Sequence, residues 1–479
     1  MDKTYDVIVV GAGTAGIPCA VEAAAAGRSV LLLDKASQIG GTLHVSGGHL
    51  SGAGTARQRE HGIDDSVDAH YADIMRISND TARPDITRLA VDLAAPTVDW
   101  LSEQGFDFAQ DCPRIVYGHE PYGTARTYYG PDAARSILAV LAPLLEQHVA
   151  SRGIDLELET PVTELLTRAG AVVGVQTPAG KRYGTSVVIA TGGFGFAPEL
   201  FRELEGAPLV TASAETSTGD GIVLAQNVGA GLAGRGSYLP TFGGLPPEDG
   251  GRVTWELRPL LVATERPPQE IYVDRSGHRW VAEDEVSIDD KERALVTIED
   301  MTFWMVFDAA ALRDSHPMVI GWDREDIDAK AGVRLGVHRA DTLAGLAGSA
   351  GIDPQGLVDT VERYNRHVEA GEDPDFGRRH LPAPIAEGPF YAIRNHALTL
   401  ITFTGVDIDS ELRVRREDGS VIPGLYAVGE VLGAAATSGN SFCGGMLITP
   451  AIAFGRHLGQ RLGAEPSRPV ESRAQGSLS

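Results

Sequence analysis

The stretch that decides the fold is Tyr5-Asp6-Val7-Ile8-Val9-Val10, followed directly by Gly11-Ala12-Gly13-Thr14-Ala15-Gly16. Its first half is a β-branched run of the kind that is buried on both faces of a parallel sheet. An alanine-rich segment at 20–26 has helical propensity and ends at Gly27. Ser29-Val30-Leu31-Leu32-Leu33-Asp34 then predicts a second buried strand. Together these segments predict one complete βαβ unit.

The GxGxxG turn inside this unit predicts a dinucleotide site. Its glycines let backbone amides and a helix N-terminus approach a pyrophosphate, and Asp34 can accept a hydrogen bond from a ribose hydroxyl. Such a turn is weak evidence when it stands alone. Here a strand precedes it and a helix, a strand and an acid follow it, which makes the prediction specific.

Later glycine turns favour FAD over NAD as the dinucleotide. Gly40-Gly41-Thr42 and Ser46-Gly47-Gly48 follow Asp34 closely. Far along the chain, two apolar runs end in Thr191-Gly192-Gly193 and in Gly429-Glu430. Ligand-facing turns spread from residue 11 to residue 430 suit a long, extended cofactor.

These motifs, together with Thr218-Gly219-Asp220-Gly221 and Gly388-Pro389-Phe390-Tyr391-Ala392, resemble the fumarate reductase/succinate dehydrogenase flavoprotein family. The resemblance covers nearly the whole chain and is nearest to the soluble branch of 3-ketosteroid dehydrogenases and 4-oxocyclohexanecarboxylate desaturases. It implies an α/β fold with an α+β cap, in which a Rossmann-like FAD-binding domain is interrupted by a substrate-capping domain. The isoalloxazine would lie between the two domains.

The motifs and the resemblance together give the residues expected to contact FAD. They are Gly11, Gly13, Ala15, Gly16, Asp34, Lys35, Gly41, Thr42, Ser46, Gly47, Gly48, Val162, Thr191, Gly192, Gly193, Asp220, Gly429, Glu430, Gly445, Met446 and Leu447. We expect the FAD to be non-covalent, because Gly41 or Thr42 stands where relatives with a covalent link carry a histidine, and His44 is two or three positions away.

The domain organisation follows from where the glycine turns occur. We expect the FAD-binding domain at 1–237 and 391–462, the capping domain at 238–390 and a flexible tail at 463–479. The apolar segment 398–404 is expected to be a strand that re-enters the first domain, and the charged segment 283–292 is expected to be a solvated face.

Two substitutions argue against a dicarboxylate substrate. By resemblance, fumarate-type reductases bind the dianion with a histidine and an arginine. The matching positions here carry Leu400 or Ile401 and Phe442. Aliphatic and aromatic groups cannot hold a dianion without a large desolvation cost, so a less charged, more apolar substrate is indicated.

The ketosteroid-dehydrogenase branch implies the chemistry to look for. There a tyrosine takes the proton α to a ketone, flavin takes hydride from the β-carbon, and donors hold the carbonyl oxygen. That branch carries a tyrosine where this chain has Phe442, so the backbone N–H groups of Gly445 and Met446 are the remaining donors expected.

Candidate proton-transfer groups lie between residues 117 and 130. We expect Tyr129 or Tyr128 to be the base, followed by Tyr122, His119 and the more distant His396. Tyrosine has an ordinary pKa near 10, so a base needs a neighbour such as Arg126 or His119 that favours the phenolate. Arg126 can instead clamp a substrate carboxylate. Plain aromatic packing of a surface loop is the alternative interpretation.

These observations predict FAD-dependent α,β-desaturation of a small cyclic ketone, with hydride passing to flavin N5. An enoate or fumarate-type reductase running in reverse, or the flavoprotein subunit of an electron-transfer complex, are the alternatives. The partners expected are a small-molecule substrate and an electron acceptor, which stays open between oxygen, a quinone and a protein.

Composition excludes other classes of protein. The chain has 479 residues and a net charge of −24, with no basic run for nucleic acid. No apolar stretch reaches the roughly 18–20 residues that span a bilayer, and we expect a cytoplasmic protein without a signal peptide. Cys19, Cys112 and Cys443 are scattered, so neither a disulfide framework nor a metal site is indicated.

Overall fold

A computed structural model describes residues 3–248, 258, 260–316 and 318–465. In chain order its strands are β1 (Thr4–Val10), β2 (Val30–Leu33), β3 (Leu50–Ser51), β4 (Thr127–Tyr128), β5 (Ile154–Glu157), β6 (Glu164–Arg168), β7 (Ala171–Thr177), β8 (Gly180–Ile189), β9 (Leu232–Ala233), β10 (Thr241–Phe242), β11 (Ile271–Val273), β12 (Thr302–Asp308), β13 (Val337–Ala340), β14 (Phe390–Leu398), β15 (Gly405–Val406), β16 (Arg413–Arg415) and β17 (Val421–Ala427).

The helices are α1 (Gly16–Ala25), α2 (Ala56–Glu60), α3 (Val67–Ile77), α4 (Pro84–Glu103), α5 (Arg135–Ala150), α6 (Pro198–Glu205), α7 (Asp220–Asn227), α8 (Ile288–Leu295), α9 (Ala309–Asp314), α10 (Arg324–Lys330), α11 (Leu343–Ala350), α12 (Pro354–Ala370), α13 (Ala435–Ser438) and α14 (Ile448–Ala464). The start of the predicted tail thus belongs to α14, and residues 466–479 of that tail lie outside the described part of the chain.

An eight-stranded sheet forms the centre of the molecule. Its main path runs β16-β17-β8-β1-β2-β5, with β7 pairing β8 and β6 pairing β7. β1 pairs in parallel with β2 through Val7 and Val30, and with β8 through Ile8 and Val187. The residues Val7, Ile8 and Val9 are at most 1% exposed, as expected for a strand covered on both faces. The predicted βαβ unit and Rossmann-like sheet are confirmed.

Helix α14 brings the end of the chain back to the start of α1. A Cβ added at Gly455 of α14 would lie 2.2 Å from the backbone oxygen of Ala15, so the two helices touch backbone to backbone at this point. A glycine is needed there, because any side chain would push α14 away from α1. The close contact places the first residues of α14 next to the glycine turn that follows β1.

A second, antiparallel sheet is built from the middle of the chain. Its order is β10-β14-β12-β11, with β13 also pairing β14. All seven residues of β12 are buried. This sheet, beside the central one, gives the mixed α/β architecture expected of an FAD-binding domain with a cap.

The segment 398–404 is not the strand that we expected. β14 ends at Leu398, and the chain is irregular until β15 begins at Gly405. Side chains take up the backbone N–H groups that a strand would use in a ladder. The amide of Thr402 donates to the Glu430 carboxylate at 3.1 Å, and that of Phe403 donates to Glu205 at 2.8 Å.

Candidate active site

A cavity of about 800 Å³ lies at the carboxyl ends of the parallel strands. Its lining includes Gly11 after β1, Asp34 after β2, Thr191 after β8 and Gly429 after β17. Ligands of open α/β sheets bind at this edge, because the loops that leave the strands converge there. Other parts of the lining come from the segment 114–122, from the middle of the chain beginning with Thr241 in β10, and from the segment 442–451.

The turn after β1 is shaped for close approach by a ligand. A Cβ at Gly16 would lie 1.8 Å from the oxygen of Gly11, so only glycine permits the tight turn into α1. A Cβ at Gly13 would meet only the oxygen of Gly40, at 4.0 Å, so the space in front of Gly13 belongs to the cavity. The backbone of this turn is therefore accessible to a pyrophosphate.

Two charged groups hold the strand end beside this turn. The Asp34 carboxylate accepts hydrogen bonds from the amides of Ala12 at 2.7 Å and Ala36 at 2.8 Å. Lys35 pairs with Asp220 at 2.8 Å, and both residues line the cavity. The acid that we expected to meet a ribose is thus oriented by backbone on either side.

Most of the residues expected to contact the cofactor line this cavity. They are Gly11, Gly13, Ala15, Asp34, Lys35, Gly41, Thr42, Ser46, Gly47, Gly48, Val162, Thr191, Gly192, Asp220, Gly429, Glu430, Gly445 and Leu447. Gly16, Gly193 and Met446 support the lining from behind. A Cβ at Gly193 would lie 2.6 Å from Glu430 Oε1, and the backbone oxygen of Met446 accepts from Thr437 at 2.6 Å.

These residues fit FAD. The lining is continuous from the βαβ turn to Gly445, as an extended dinucleotide requires. The hydroxyl Oγ1 of Thr191 is buried with no hydrogen-bond partner among the described residues, so a polar atom of a bound ligand can pair with it. When bound, FAD supplies the ring that takes up or gives back a hydride.

The other end of the cavity is lined by apolar side chains together with charged ones such as Arg258 and Glu292. Its walls include Phe242, Leu260, Leu261, Ile288, Ile320, Leu400, Ile401 and Phe442. The Phe442 ring stacks on the His119 imidazole, with 3.9 Å between centroids and 20° between planes. We call this part of the cavity the substrate end.

The structure places Tyr128 and Tyr129 away from the cavity, and the expected position of the base is therefore wrong. β4 pairs with β3 and turns Tyr128 into the core, where its hydroxyl lies 2.6 Å from Thr55 Oγ1. The Tyr129 hydroxyl donates to Asp111 at 2.7 Å. Burial raises the pKa of both phenols, in Tyr129 to about 12, so neither phenolate is favoured.

Arg126 is also withdrawn from the cavity, contrary to our expectation. It is fully buried and pairs with Asp65 at 2.9 Å and with Asp73 at 3.1 Å. With both carboxylates engaged, its guanidinium holds the loop together and cannot clamp a substrate. Tyr122 does line the cavity, but its hydroxyl donates to the backbone oxygen of Gly444 at 2.7 Å, and burial raises its pKa well above the ordinary value.

The remaining candidate groups, His396, Cys443 and the backbone amide of Met446, are also poorly placed for catalysis. His396 lies in β14 against the backbone of Gly243, outside the cavity, and burial lowers its pKa to about 4. Cys443 lines the cavity, but burial raises the pKa of its thiol and disfavours a thiolate. Of the two expected oxyanion donors, the amide of Met446 already donates to the oxygen of Cys443 at 3.0 Å.

The charged segment 283–292 is not a solvated face. Glu283 and Asp289 have no exposed surface, and Glu292 is 1% exposed. Glu283 is buried because Arg279 and Arg378 pair with it, at 2.6 and 3.0 Å. In α8, Asp289 and Glu292 lie on the buried face of the helix, whereas Asp290 is exposed.

Sequence reasoning missed a polar cluster formed by His119, Asp289 and Glu292. One ligand-type atom from each lies within 4.8 Å of the others. The spacing of Asp289 and Glu292, three residues apart beside the apolar Ile288 and Leu295, was a signal that both acids share the buried face of a helix.

Burial sets the charge of this cluster. It raises the pKa of Asp289 to about 6, with the Glu120 carboxylate adding to the effect and Arg293 opposing it. It raises the pKa of Glu292 well above the ordinary value, with Asp289 contributing. Burial and the nearby charge of Arg258 lower the pKa of His119 to about 3. At neutral pH the imidazole is therefore neutral.

The sequence as a whole matches a family of flavoproteins. The family model described as FAD binding domain matches residues 6–447, and the chain belongs to this family, the flavoproteins of the fumarate reductase/succinate dehydrogenase type. The chain is accordingly an FAD-dependent oxidoreductase that acts on CH–CH bonds.

Individual relatives divide between reduction and dehydrogenation. A fumarate reductase (cytochrome) from Shewanella frigidimarina is 30% identical over 467 residues, which are 95% of this chain and 76% of the relative. A 4-oxocyclohexanecarboxylate 2-dehydrogenase from Sinomonas cyclohexanicum is 28% identical over 567 residues, covering 99% and 96% of the two chains.

A solved structure shares the fold. The 3-ketosteroid delta1-dehydrogenase from Sterolibacterium denitrificans superimposes with a TM-score of 0.75 at 22% identity, over 96% of this chain and 99% of that one.

Within the described residues, no helix is both long enough and apolar enough to cross a bilayer.

Proposed function

We propose that the enzyme desaturates the carbon–carbon bond next to the carbonyl of a small cyclic ketone. The observation that carries this proposal is that three apolar side chains, Leu400, Ile401 and Phe442, line the cavity. A neutral ring buries apolar surface against these side chains, and each buried CH₂ contributes about 0.8 kcal/mol.

A dicarboxylate is poorly accommodated by the same wall. Burying a carboxylate without a charged partner costs several kcal/mol, and a dianion needs two such partners. Arg258 is a guanidinium in the lining of the substrate end, where burial lowers its pKa and the nearby Glu265 and Glu292 oppose that shift. A substrate with one carboxylate is therefore compatible with this end of the cavity, and one with two is disfavoured.

The chain's own residues position the ring and its carbonyl. We assign the aliphatic and aromatic wall to holding the ring face and the backbone N–H of Gly445, which lines the cavity, to the carbonyl oxygen. The Tyr122 hydroxyl holds Gly444 in place and so fixes the loop that carries this amide.

Reduction of a cyclic enone is the second candidate. It is favoured by the 30% identity to a fumarate reductase over 95% of the chain. The same cavity serves both directions, because a transition state is shared by the forward and the reverse reaction. The direction used then depends on the redox partner of the flavin: an electron acceptor favours desaturation of the ketone, and an electron donor favours reduction of the enone.

Anaerobic mixing tests the proposal. Oxidised enzyme is mixed with a panel of cyclic ketones, with and without one carboxylate, and flavin absorbance is followed. We expect at least one ketone to bleach the flavin, while succinate does not. Bleaching by succinate alone, or by no ketone, would contradict the proposal. Photoreduced enzyme mixed with cyclic enones examines the reverse direction.

We also propose that FAD is bound without a covalent link and that the division of the chain at 237, 390 and 462 marks its domains. The ring of His44 supports the first point, because it bonds to the oxygen of Ile39 at 2.8 Å and does not line the cavity. Acid precipitation should release a yellow supernatant with the mass of FAD. A yellow pellet would overturn the non-covalent assignment.

A further inference from the structure

The cluster of His119, Asp289 and Glu292 contains polar atoms that nothing in the described chain satisfies. His119 Nδ1, Asp289 Oδ1 and Glu292 Oε1 are buried without a hydrogen-bond partner. A buried polar atom left unpaired costs about 1–3 kcal/mol, and such groups are uncommon in folded proteins. Three of them within one cluster indicate a role in binding or chemistry.

The cluster faces the substrate end. His119 and Glu292 line the cavity, and Asp289 lies behind them on the preceding turn of α8. The Asp289 carboxylate accepts from the amide of Phe442 at 3.5 Å, and the ring of Phe442 stacks on His119. The imidazole therefore lies beside the wall that we assign to the ring of the ketone.

We propose that His119 accepts the α-proton of the substrate, and that Asp289 and Glu292 are positioning residues that hold the imidazole and balance its charge. This inference rests on the proposed function. The α C–H bond breaks and its electron pair becomes the second bond of the new C=C. The hydrogen on the β-carbon leaves with its own pair as hydride and is accepted by the bound FAD, so the substrate is oxidised by two electrons. The proton stays on a ring nitrogen of His119.

The charges of the cluster suit this step. The imidazole is neutral at pH 7 and can accept a proton; burial and Arg258 lower its pKa to about 3 and so weaken it as a base, and the attraction of an ionised Asp289 opposes that effect. Asp289, with a pKa of about 6, is then mostly ionised and attracts the imidazolium that forms. Glu292 stays protonated, because burial raises its pKa well above the ordinary value, so the two acids do not repel each other.

The surroundings favour a proton over a metal ion at this place. The groups that act on the cluster are Arg258 and His49 at His119, Glu120, Arg293 and Ser441 at Asp289, and Lys291 and Thr241 at Glu292. Arg293 lies 3.7 Å from the Asp289 carboxylate. Guanidinium charge on two sides opposes a divalent cation and leaves room for one mobile proton.

Exchange of the α-hydrogens with solvent tests the assignment of the base. The holoenzyme is reduced, so that hydride transfer is blocked, and is incubated in D₂O with the ketone that bleaches the oxidised flavin. NMR then measures deuterium at the α-carbon. We expect His119→Gln to slow this exchange by about 10²–10⁴-fold, the usual effect of removing a general base. FAD content should match that of wild type. The dissociation constant of the ketone should stay within about threefold of the wild-type value.

The matched control is His338→Gln, which changes a half-buried histidine in β13 outside the cavity. It should exchange at the wild-type rate. If His119→Gln folds poorly, His119→Ala with added imidazole replaces it, and recovery of exchange with imidazole supports the assignment.

The positioning residues have a separate readout. The rate of exchange in wild type should fall as the pH drops through about 6, where the Asp289 carboxylate is protonated. Asp289→Asn should lower the rate by about tenfold and remove this acidic limb, since a charge-balancing contact of this kind contributes about 1 kcal/mol or more. A purely structural role would leave the limb in place, and the role of Asp289 would then be wrong.

The outcomes separate the inference from the proposed function. Wild-type exchange in His119→Gln, with wild-type enzyme still bleached by the ketone, overturns the base and leaves the desaturation intact. Failure of wild type both to bleach and to exchange overturns both. One divalent metal per chain, lost together with exchange on chelation, identifies the cluster as a metal site and overturns the proton assignment.

Discussion

The two ends of the cavity are built by different means. At the cofactor end much of the lining is the backbone of glycine turns, several of them at the ends of parallel strands, with side chains such as Asp34 and Lys35 beside it. At the substrate end the lining is side chains from distant parts of the chain, such as His119, Glu292 and Phe442. The comparison teaches that cofactor choice is local in the sequence, whereas substrate choice depends on which distant segments pack together.

The largest effect should come from a side chain placed in the backbone lining. Gly13→Val fills the space in front of the βαβ turn, where nothing lies closer than 4.0 Å to an added Cβ. We expect a loss of about 3 kcal/mol, or ~10²-fold in FAD affinity, because the pyrophosphate can no longer approach. FAD content after gel filtration measures the effect.

The control for this variant is Gly348→Ala in α11, where an added Cβ meets nothing within 4 Å. It should retain FAD fully. Full retention of FAD by Gly13→Val would show that the pyrophosphate does not approach the backbone at Gly13.

The substrate end should discriminate by charge. Reduced enzyme should turn over fumarate at least ~10²-fold more slowly than a cyclic enone, since the loss of one charged contact in the transition state costs about 3 kcal/mol. The apolar Ile401 and Phe442 are the reason. Anaerobic reoxidation of the flavin by each compound gives the two rates. Equal rates with fumarate and with the cyclic enone would contradict the expectation that this substrate end disfavours dicarboxylates.

Buried histidines should make the region around the substrate end sensitive to acid. Burial lowers the pKa of His70, whose ring packs edge-on against Tyr122, from 6.5 to about 3. Between these values the unfolded chain binds the proton and the folded chain does not, so stability rises with pH and is lost as the pH falls below about 6.5. The slope is about 1.4 kcal/mol per pH unit for each such histidine.

His70→Phe should remove one such contribution to the slope, whatever it does to the absolute stability. Urea unfolding at pH 4 to 7 measures the free energy of unfolding. His61→Gln, at an exposed position, should leave the slope unchanged. An unchanged slope in His70→Phe would mean that His70 is protonated in the folded protein.

The smallest effect on catalysis should come from the two tyrosines behind the cavity. Tyr128→Phe loses the contact with Thr55 and should cost about 1–2 kcal/mol of stability without slowing flavin reduction. Tyr129→Phe loses a partly exposed bond to Asp111 and should change neither property. Thermal unfolding and stopped-flow reduction measure the two effects. Slow reduction in either variant would return that tyrosine to the candidates for the base.

Expectations from the sequence succeeded where one short stretch carries the whole signal. The βαβ unit is present as expected, and the turns at Gly41, Ser46 and Gly429 line the cavity, while their contact with FAD stays a prediction. The expected strand at 398–404 failed, because the carboxylates of Glu205 and Glu430 take backbone N–H groups that a ladder would need. Those acids come from elsewhere in the chain, and no local pattern reveals them.

By itself, the sequence determined the central sheet, the FAD turns and the absence of the reductase cation at Phe442, because strand, turn and missing side chain are properties of neighbouring residues. The tertiary structure decided which groups line the substrate end of the cavity. The pairing of β3 with β4 turns Tyr128 inward, and the packing of α8 buries Asp289 and Glu292 beside His119. Burial and charge depend on what covers a residue, and in both cases the covering segment is distant in the sequence.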